Sequence, residues 1–172
     1  GSEASEVEHY RPKAVFPELV FTWENLLWVC GVCNRHKGNR FPPETETGQA
    51  LINPLDEDVW QFFFIDEYGN LTAQWSESDD DYHPRAVKAM EVIQLDREVL
   101  QSTRQHRLLH LSKAIRYEIA AFHRGEITVV DLQNSLDAWL HEPYQSDVAN
   151  YFLLGLGKSE PPFCELFAIL NP

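Results

Sequence analysis

One ordered set of polar residues between positions 6 and 40 constrains the fold of this chain more than any other feature. Its members are Glu8, His9, Asn25, Cys30, Cys33, Asn34 and Lys37. Residues 7–9 and the apolar run 26–29 predict two short strands, joined by a loop that carries Pro12 and Pro17. A short helix is predicted to open near Cys33. A strand, a loop, a second strand and a helix therefore form the predicted unit.

The residue types in this set are those that hydrolysis of a phosphodiester requires. The reaction needs an activated water, a Lewis acid that neutralises charge on the phosphoryl and leaving oxygens, and a fixed geometry. A histidine can take the proton from water near neutral pH. A carboxylate and an amide oxygen are ligands that Mg²⁺ prefers, with water and phosphate completing its shell. Glu8 and His9 are adjacent on a strand, so their side chains leave opposite faces unless a twist or bulge re-aims them.

The motifs EVEHYRPK, WENLLWVC and GVCNRHKGNRFP resemble those of the HNH, or ββα-metal, nucleases, with asparagine at the third position. The resemblance implies that His9 is the general base and that Glu8 and Asn34 bind a Mg²⁺ or Mn²⁺ ion. It also implies that Asn25 holds the loop that orients His9 and that Lys37 contacts phosphate. The expected activity is metal-dependent endonucleolytic cleavage of DNA.

A narrower resemblance is to the HNH proteins of Septu-type and retron-linked anti-phage systems, which work with an SMC-like ATPase. It is carried by EHYRPK, by NLLWVCGVCNRHKGNRFP and by LINPLDED, over residues 6–65. It implies an effector subunit of a phage-defence complex that docks on such an ATPase. Two alternatives stay open. One is an HNH-derived scaffold or binding module that has lost cleavage. The other is an RNA-cleaving HNH enzyme, because a metal site that reads phosphate does not read the sugar.

Two positions depart from the pattern of these proteins. Glu8 stands where Asp is more usual, and its extra methylene shifts a bound metal relative to the base. Cys30 and Cys33 supply only two of the four ligands of a structural Zn²⁺. In the similar proteins an upstream Cys-x-x-Cys completes that site, and we expect a segment that precedes this sequence to supply it. The alternative is that the zinc has been lost and the two cysteines are buried core thiols.

The charge of the chain sets the expected mode of substrate binding. Its 172 residues carry a formal net charge of −13, which opposes approach to a polyanion. Residues 8–40 carry five bases against three acids, whereas the remainder carries nine bases against 24 acids. The candidate nucleic-acid contacts are the five bases near the motif, Arg11, Lys13, Arg35, Lys37 and Arg40. We therefore expect a partner protein to supply much of the grip on DNA.

The whole chain predicts an α+β fold in two parts. Residues 3–83 would form the HNH core with an added β-hairpin, whose strands at 59–65 and 71–75 flank a turn. The alternating side chains of Trp60, Phe62 and Phe64 are predicted to form its buried face. Residues 84–172 would form a helical extension that docks on the partner.

Apolar residues three or four positions apart predict the helices of this extension. One set is Leu108, Leu111, Ile115, Ile119 and Phe122, and the next is Val129, Leu132, Leu136, Trp139 and Leu140. Asp96 is the predicted N-cap and Gly125 the predicted stop of the first helix. Shorter helices are predicted at 147–156 and 162–170. We interpret His106, His110 and His123 as a solvated helix face, the alternative being a stripe that contacts nucleic acid or a partner.

Cysteine content and hydropathy predict the compartment. The three cysteines do not make a disulfide framework. No apolar run reaches the length of a membrane span, and the N-terminus does not resemble a signal peptide. The expected location is the cytoplasm.

Overall fold

The computed structural model describes residues 6–42, 51–141, 148, 150–154 and 159–171. The strands are β1 (Glu6–His9), β2 (Leu26–Val29), β3 (Phe63–Ile65), β4 (Leu71–Ala73), β5 (Trp75–Ser76) and β6 (Asp81–Tyr82). The helices are α1 (Gly31–Lys37), α2 (Pro84–Ile93), α3 (Glu98–His123), α4 (Val129–His141) and α5 (Phe163–Leu170). Short 3₁₀ turns lie at Pro17–Leu19, Trp23–Asn25 and Val59–Gln61, and a π-helical segment lies at Asn150–Leu154.

The chain divides into two compact units. The first holds the described residues up to Phe64 together with Leu71–Leu100, and the second holds Ile65–Asn70 together with the described residues from Gln101 onward. The division after Leu100 differs from the boundary after residue 83 that the sequence suggests. Helix α2 therefore belongs to the same unit as the motif residues.

In the first unit β1 and β2 pair antiparallel and α1 follows β2 after one residue. The register runs from Glu6 opposite Val29 to His9 opposite Leu26, without a bulge. Cys30 is the N-cap of α1, and its sulfur accepts a hydrogen bond from the Cys33 backbone amide at 3.3 Å. A strand, a strand and a helix thus lie in the order and place that the sequence predicts.

Helix α2 packs against α1 and buries one stripe of small residues. Ala86, Ala89 and Val92 recur at intervals of three and are buried, so they form one apolar stripe of the helix. The Arg40 guanidinium donates to the Val92 carbonyl at 2.7 Å, which ties the end of the α1 segment to the last turn of α2. These contacts hold α1 in place at β1.

The β3–β4 hairpin is present, but the face predicted to be buried is wrong. Phe63 and Ile65 are the buried residues of β3, whereas Phe64 is 43% exposed. Trp60 lies in a 3₁₀ turn outside the strand, so the alternation starts from a different residue. A shift of one residue moves every side chain of a strand to the opposite face. A second hairpin, formed by β5 and β6, follows it in the chain.

In the second unit the predicted helices are confirmed where the structure describes them. On α3 the buried residues include Leu108, Leu111, Ile115 and Ile119. Gly125 follows this helix with φ +74°, and its amide donates to the Phe122 carbonyl at 2.9 Å, as a helix stop requires. The predicted helix at 147–156 lies partly outside the described residues.

The long helix also shows which polar side chains face water. His106, His110 and His123 are exposed, in agreement with the interpretation of a solvated face, whereas Arg104 on the same helix is buried. Within the described ranges, no helix has the length and apolar character needed to cross a membrane.

Candidate active site

A buried ion pair connects β1 to α1. The Lys37 ammonium donates to Glu8 Oε1 at 2.6 Å and to the His9 carbonyl at 2.8 Å. The two side chains are only 6% and 11% exposed. Removing one member of such a buried pair leaves an uncompensated charge, which costs about 3–5 kcal/mol. Lys37, predicted to contact phosphate, is thus held inside the unit against the predicted metal ligand.

A second polar bridge lies beside the first. Asn34 Nδ2 donates to Glu6 Oε2 at 2.8 Å. Glu6 and Glu8 are two residues apart on β1, so their side chains share one face of the strand. Asn34 and Lys37 are three residues apart on α1, so their side chains are neighbours on the helix surface. Strand and helix are therefore joined by two adjacent polar contacts.

The His9 ring is oriented by a backbone carbonyl. His9 Nε2 lies 3.0 Å from the Val20 carbonyl oxygen. A carbonyl oxygen can only accept, so Nε2 carries the hydrogen in this contact and Nδ1 of the neutral ring has the free lone pair. This is the tautomer in which Nδ1 can accept a proton from water. Glu8 and His9 contact different parts of the unit, and β1 contains no bulge that would re-aim them, so a single site would need the twist of the strand to bring them together.

The Asn25 amide fixes the loop that supplies this carbonyl. Its Oδ1 accepts from the Arg11 backbone amide at 2.7 Å, and its Nδ2 donates to the Arg11 and Leu19 carbonyls at 3.1 and 3.2 Å. Asn25 is 4% exposed, so these bonds satisfy a buried polar group. Leu19 directly precedes Val20. The side chain therefore contacts the loop near its start, at Arg11, and at the residue that precedes Val20.

The segment LINPLDED ties this loop to α2. The Tyr10 hydroxyl donates to the Leu51 carbonyl at 2.6 Å, and Arg85 of α2 donates to the same carbonyl at 2.8 Å. Arg85 also forms two hydrogen bonds of 2.7 Å with the Glu57 carboxylate. Donation from Arg85 lowers the pKa of Glu57 below its usual value. The residue that follows His9 is thus anchored through a charged network.

The atoms that metal binding and proton transfer need remain open. Among the described residues no hydrogen bond is made to Glu8 Oε2, to Asn34 Oδ1 or to His9 Nδ1, while the other polar atom of each group is held. No group of three His, Cys, Asp or Glu side chains in the described ranges is placed to hold a metal ion. A carboxylate and an amide oxygen fit Mg²⁺ or Mn²⁺, which keep several waters and bind through few protein ligands. The side chains of Glu8 and Asn34 are therefore of the types that such an ion binds.

The Cys30–Cys33 pair lies at the start of α1, next to an arginine. Arg97 donates to Cys33 Sγ at 3.2 Å. Burial raises the pKa of the Cys33 thiol, and the hydrogen bond from Arg97 partly opposes this shift. Zinc binds the thiolate form, which the guanidinium favours and burial disfavours. Neither cysteine forms a disulfide and both are half-buried, which is compatible with their supplying two of the four ligands of a zinc site.

The five bases predicted to contact nucleic acid differ in their surroundings. Lys13 and Arg35 are exposed. Arg40 is exposed but donates to backbone carbonyls, and Arg11 lies over the Phe16 ring at 5.4 Å from its centroid. Lys37 is buried. Of the five, Lys13 and Arg35 are therefore the side chains best placed to meet an incoming phosphate.

Glu6 belongs to the site although the sequence reasoning did not select it. The signal that could have identified it is its spacing of two residues from Glu8 on a predicted strand. That spacing puts both carboxylates on the face that α1 covers. The acid-His pair by itself does not indicate Glu6.

Two curated proteins are similar to part of this chain. The Septu protein PtuB of Bacillus thuringiensis is 42% identical over 53 residues, which cover 31% of this chain and 19% of that protein. The Septu protein PtuB of Bacillus mycoides (strain KBAB4) is 35% identical over 31% of this chain and 27% of that protein. The chain thus matches only about a fifth to a quarter of the length of these relatives. No protein-family model and no solved structure matches it.

Proposed function

We propose that this chain carries an HNH-type, metal-dependent endonuclease site that cleaves DNA in an anti-phage defence complex. One observation carries the proposal. Glu8, Asn34 and His9 are each held through one polar atom and keep the other, the one that the chemistry needs, without a hydrogen bond among the described residues. In the described part of the chain, none of these three atoms is among the buried polar atoms that lack a partner, so each can reach water or a ligand.

The proposed division of labour takes its roles from the resemblance to HNH nucleases, and the contacts add how each side chain is held. His9, with Nε2 bound to the Val20 carbonyl, takes a proton from water at Nδ1, and the resulting hydroxide attacks phosphorus in line with the leaving 3′-oxygen. Glu8 and Asn34 would hold a Mg²⁺ or Mn²⁺ ion, which supplies Lewis-acid stabilisation of the phosphoryl and leaving oxygens. Lys37 directs the Glu8 carboxylate, because its ammonium is bonded to one of the two carboxylate oxygens.

The defence role and the partner rest on different support. Similarity to two proteins named Septu protein PtuB supports a place in anti-phage defence. The net charge of −13 supports a partner that grips DNA, because this chain repels a polyanion outside its motif region. We propose an SMC-like ATPase as that partner, with the acidic helical part of the chain as its docking region. Cys30 and Cys33 would bind a structural Zn²⁺ together with an upstream cysteine pair.

The test is nicking of supercoiled plasmid with Mg²⁺ or Mn²⁺, with and without the ATPase. His9→Ala should lower the rate about 10²–10⁴-fold, the range that a general base contributes. Gln61→Ala is the control, because Gln61 is exposed and lies outside both the motif and the proposed docking region, and it should leave the rate unchanged. Nicking that survives both His9→Ala and chelation would exclude the proposed mechanism. The same cleavage assay with an RNA substrate decides between DNA and RNA cleavage.

The buried ion pair favours a second candidate, a scaffold or binding module. The Lys37 ammonium occupies one oxygen of Glu8 and takes the place near it that a cation would otherwise fill. In a scaffold this pair would serve only to join β1 to α1. Binding of Mn²⁺ that is lost on Glu8→Ala supports the nuclease, whereas a wild-type chain that binds no divalent ion in the presence of its partner supports the scaffold.

A further inference from the structure

The contact between Glu6 and Asn34 determines which end of the amide is free. Glu6 Oε2 lies 2.8 Å from Asn34 Nδ2. An ionised carboxylate can only accept, so it selects the amide nitrogen and turns Oδ1 away from itself. An asparagine that lacked such a partner could rotate its amide and present the NH₂ group where the oxygen is needed.

The backbone of α1 holds the Glu6 carboxylate in this position. A methyl group added to Gly31, the first residue of α1, would collide with Glu6 Oε1 and lie 2.9 Å from Glu6 Cδ. The carboxylate therefore rests directly on the glycine backbone, one turn before Asn34. The strand alternation that directs Glu8 to Lys37 directs Glu6 to Asn34. Its location is set by tertiary packing of the strand on the helix.

We propose that Glu6 is a positioning residue for the divalent-ion site: it orients the Asn34 amide so that Oδ1 is the atom offered to the ion. This role rests on the proposed function, since Asn34 is a ligand only in that reading. Glu6 acts through Asn34. A residue that hydrogen-bonds a metal ligand in this way usually raises the metal affinity about 10–100-fold.

The decisive experiment measures the effect of Glu6→Gln on Mn²⁺ affinity in two backgrounds that differ at residue 34. In the wild-type background Glu6→Gln should weaken Mn²⁺ binding about 10-fold, because a glutamine amide can pair with either end of Asn34. In the Asn34→Asp background two carboxylates face each other and repel. There the same Glu6→Gln change should weaken Mn²⁺ binding less than in the wild type, because the glutamine NH₂ donates to the new carboxylate and only the loss of one negative charge remains. Free Mn²⁺ measured by electron paramagnetic resonance reports affinity without any need for cleavage.

Two further measurements accompany these Mn²⁺ affinities. The ¹H–¹⁵N signals of the Asn34 side-chain amide should shift in Glu6→Gln in the absence of metal, since a charge-assisted bond is lost. Glu24→Gln, which alters an exposed glutamate in the loop between β1 and β2, is the matched control and should change neither the affinity nor these signals. Thermal unfolding of each variant establishes that the fold is kept.

The outcomes separate the two proposals. If Glu6→Gln weakens Mn²⁺ binding equally in both backgrounds, Glu6 has only a structural role and the inference is overturned. It is also overturned if neither the affinity nor the Asn34 amide signals respond while Glu8→Ala abolishes Mn²⁺ binding, and in that case the proposed metal site stands. If the wild type binds no Mn²⁺ with its partner present, the metal site itself fails and the role of Glu6 fails with it.

Discussion

The unit that contains β1, β2 and α1 buries charged and amide side chains, whereas the unit that contains most of α3, together with α4 and α5, is filled mainly by aliphatic and aromatic ones. Among the described residues, the first unit buries Glu8, Asn25, Lys37 and Asn53, and the second buries Arg104. The second unit instead buries residues such as Ile115 and Leu132, both 0% exposed.

The difference bears on where function lies. Burial of apolar surface is favourable in itself, at roughly 25 cal/mol per Å². Burial of a charge or an amide is unfavourable unless every group finds a partner. A short ββα unit that buries several charged or amide side chains is therefore a candidate for the catalytic site. A helical unit with an apolar core is a candidate for partner docking. Substitutions in the two units should differ in what they impair.

The largest effect on stability is expected from Lys37→Met. It removes the ammonium from a buried carboxylate, so the free energy of unfolding should fall by about 3–5 kcal/mol. Chemical denaturation followed by circular dichroism measures it. Adding Glu8→Gln should recover part of the loss, because the unpaired charge is then gone. Lys13→Met, at an exposed lysine, is the matched control and should change stability by less than about 0.5 kcal/mol. Equal losses at both lysines would contradict the buried pair.

The next effect is expected from Leu132→Ala on α4. Leu132 is fully buried, so loss of its side chain should lower the free energy of unfolding by about 2–5 kcal/mol. Val130→Ala on the same helix is the control, because Val130 is 67% exposed. Nicking per folded molecule should remain near the wild-type rate in Leu132→Ala. A folded variant that nicks much more slowly would show that this unit contributes to catalysis. That result would contradict the assignment of catalysis to the ββα unit alone.

The smallest effect is expected from Glu57→Gln, and it depends on pH. The Arg85 hydrogen bonds lower the pKa of Glu57, so this carboxylate stabilises the fold above its usual pKa of 4.5 and loses that contribution as pH falls through the lower folded-state value. At pH 7 the variant should be about 1–2 kcal/mol less stable. The difference should shrink below pH 4.5. Unfolding titrations at both pH values measure it.

A control sharpens the assignment of this pH dependence. Glu18→Gln alters an exposed glutamate of the same unit and should cost less than about 0.5 kcal/mol at pH 7. If the gap between the wild type and Glu57→Gln is unchanged in acid, the pair with Arg85 does not carry the stabilisation.

The helical unit was the easier of the two to predict, because a helix buries one stripe of residues and the stripe is visible as spacing. Leu111, Ile115 and Ile119 are buried as the period of the sequence requires. The β3–β4 hairpin was harder. Its existence could be predicted from residue types, but its buried face could not, since Phe62, Phe63 and Phe64 are all aromatic and either alternation is apolar.

By itself, the sequence determined the order of strand, strand and helix, the helical periods and the identity of the candidate residues. Only the tertiary structure decided which atom of each polar side chain is occupied. Lys37 could have faced solvent, but the packing of α1 on β1 places its ammonium on Glu8. The same packing brings Glu6 to Asn34. Hydrogen bonds and ion pairs depend on distances of a few ångströms between residues far apart in the chain, and spacing along the sequence does not encode those distances.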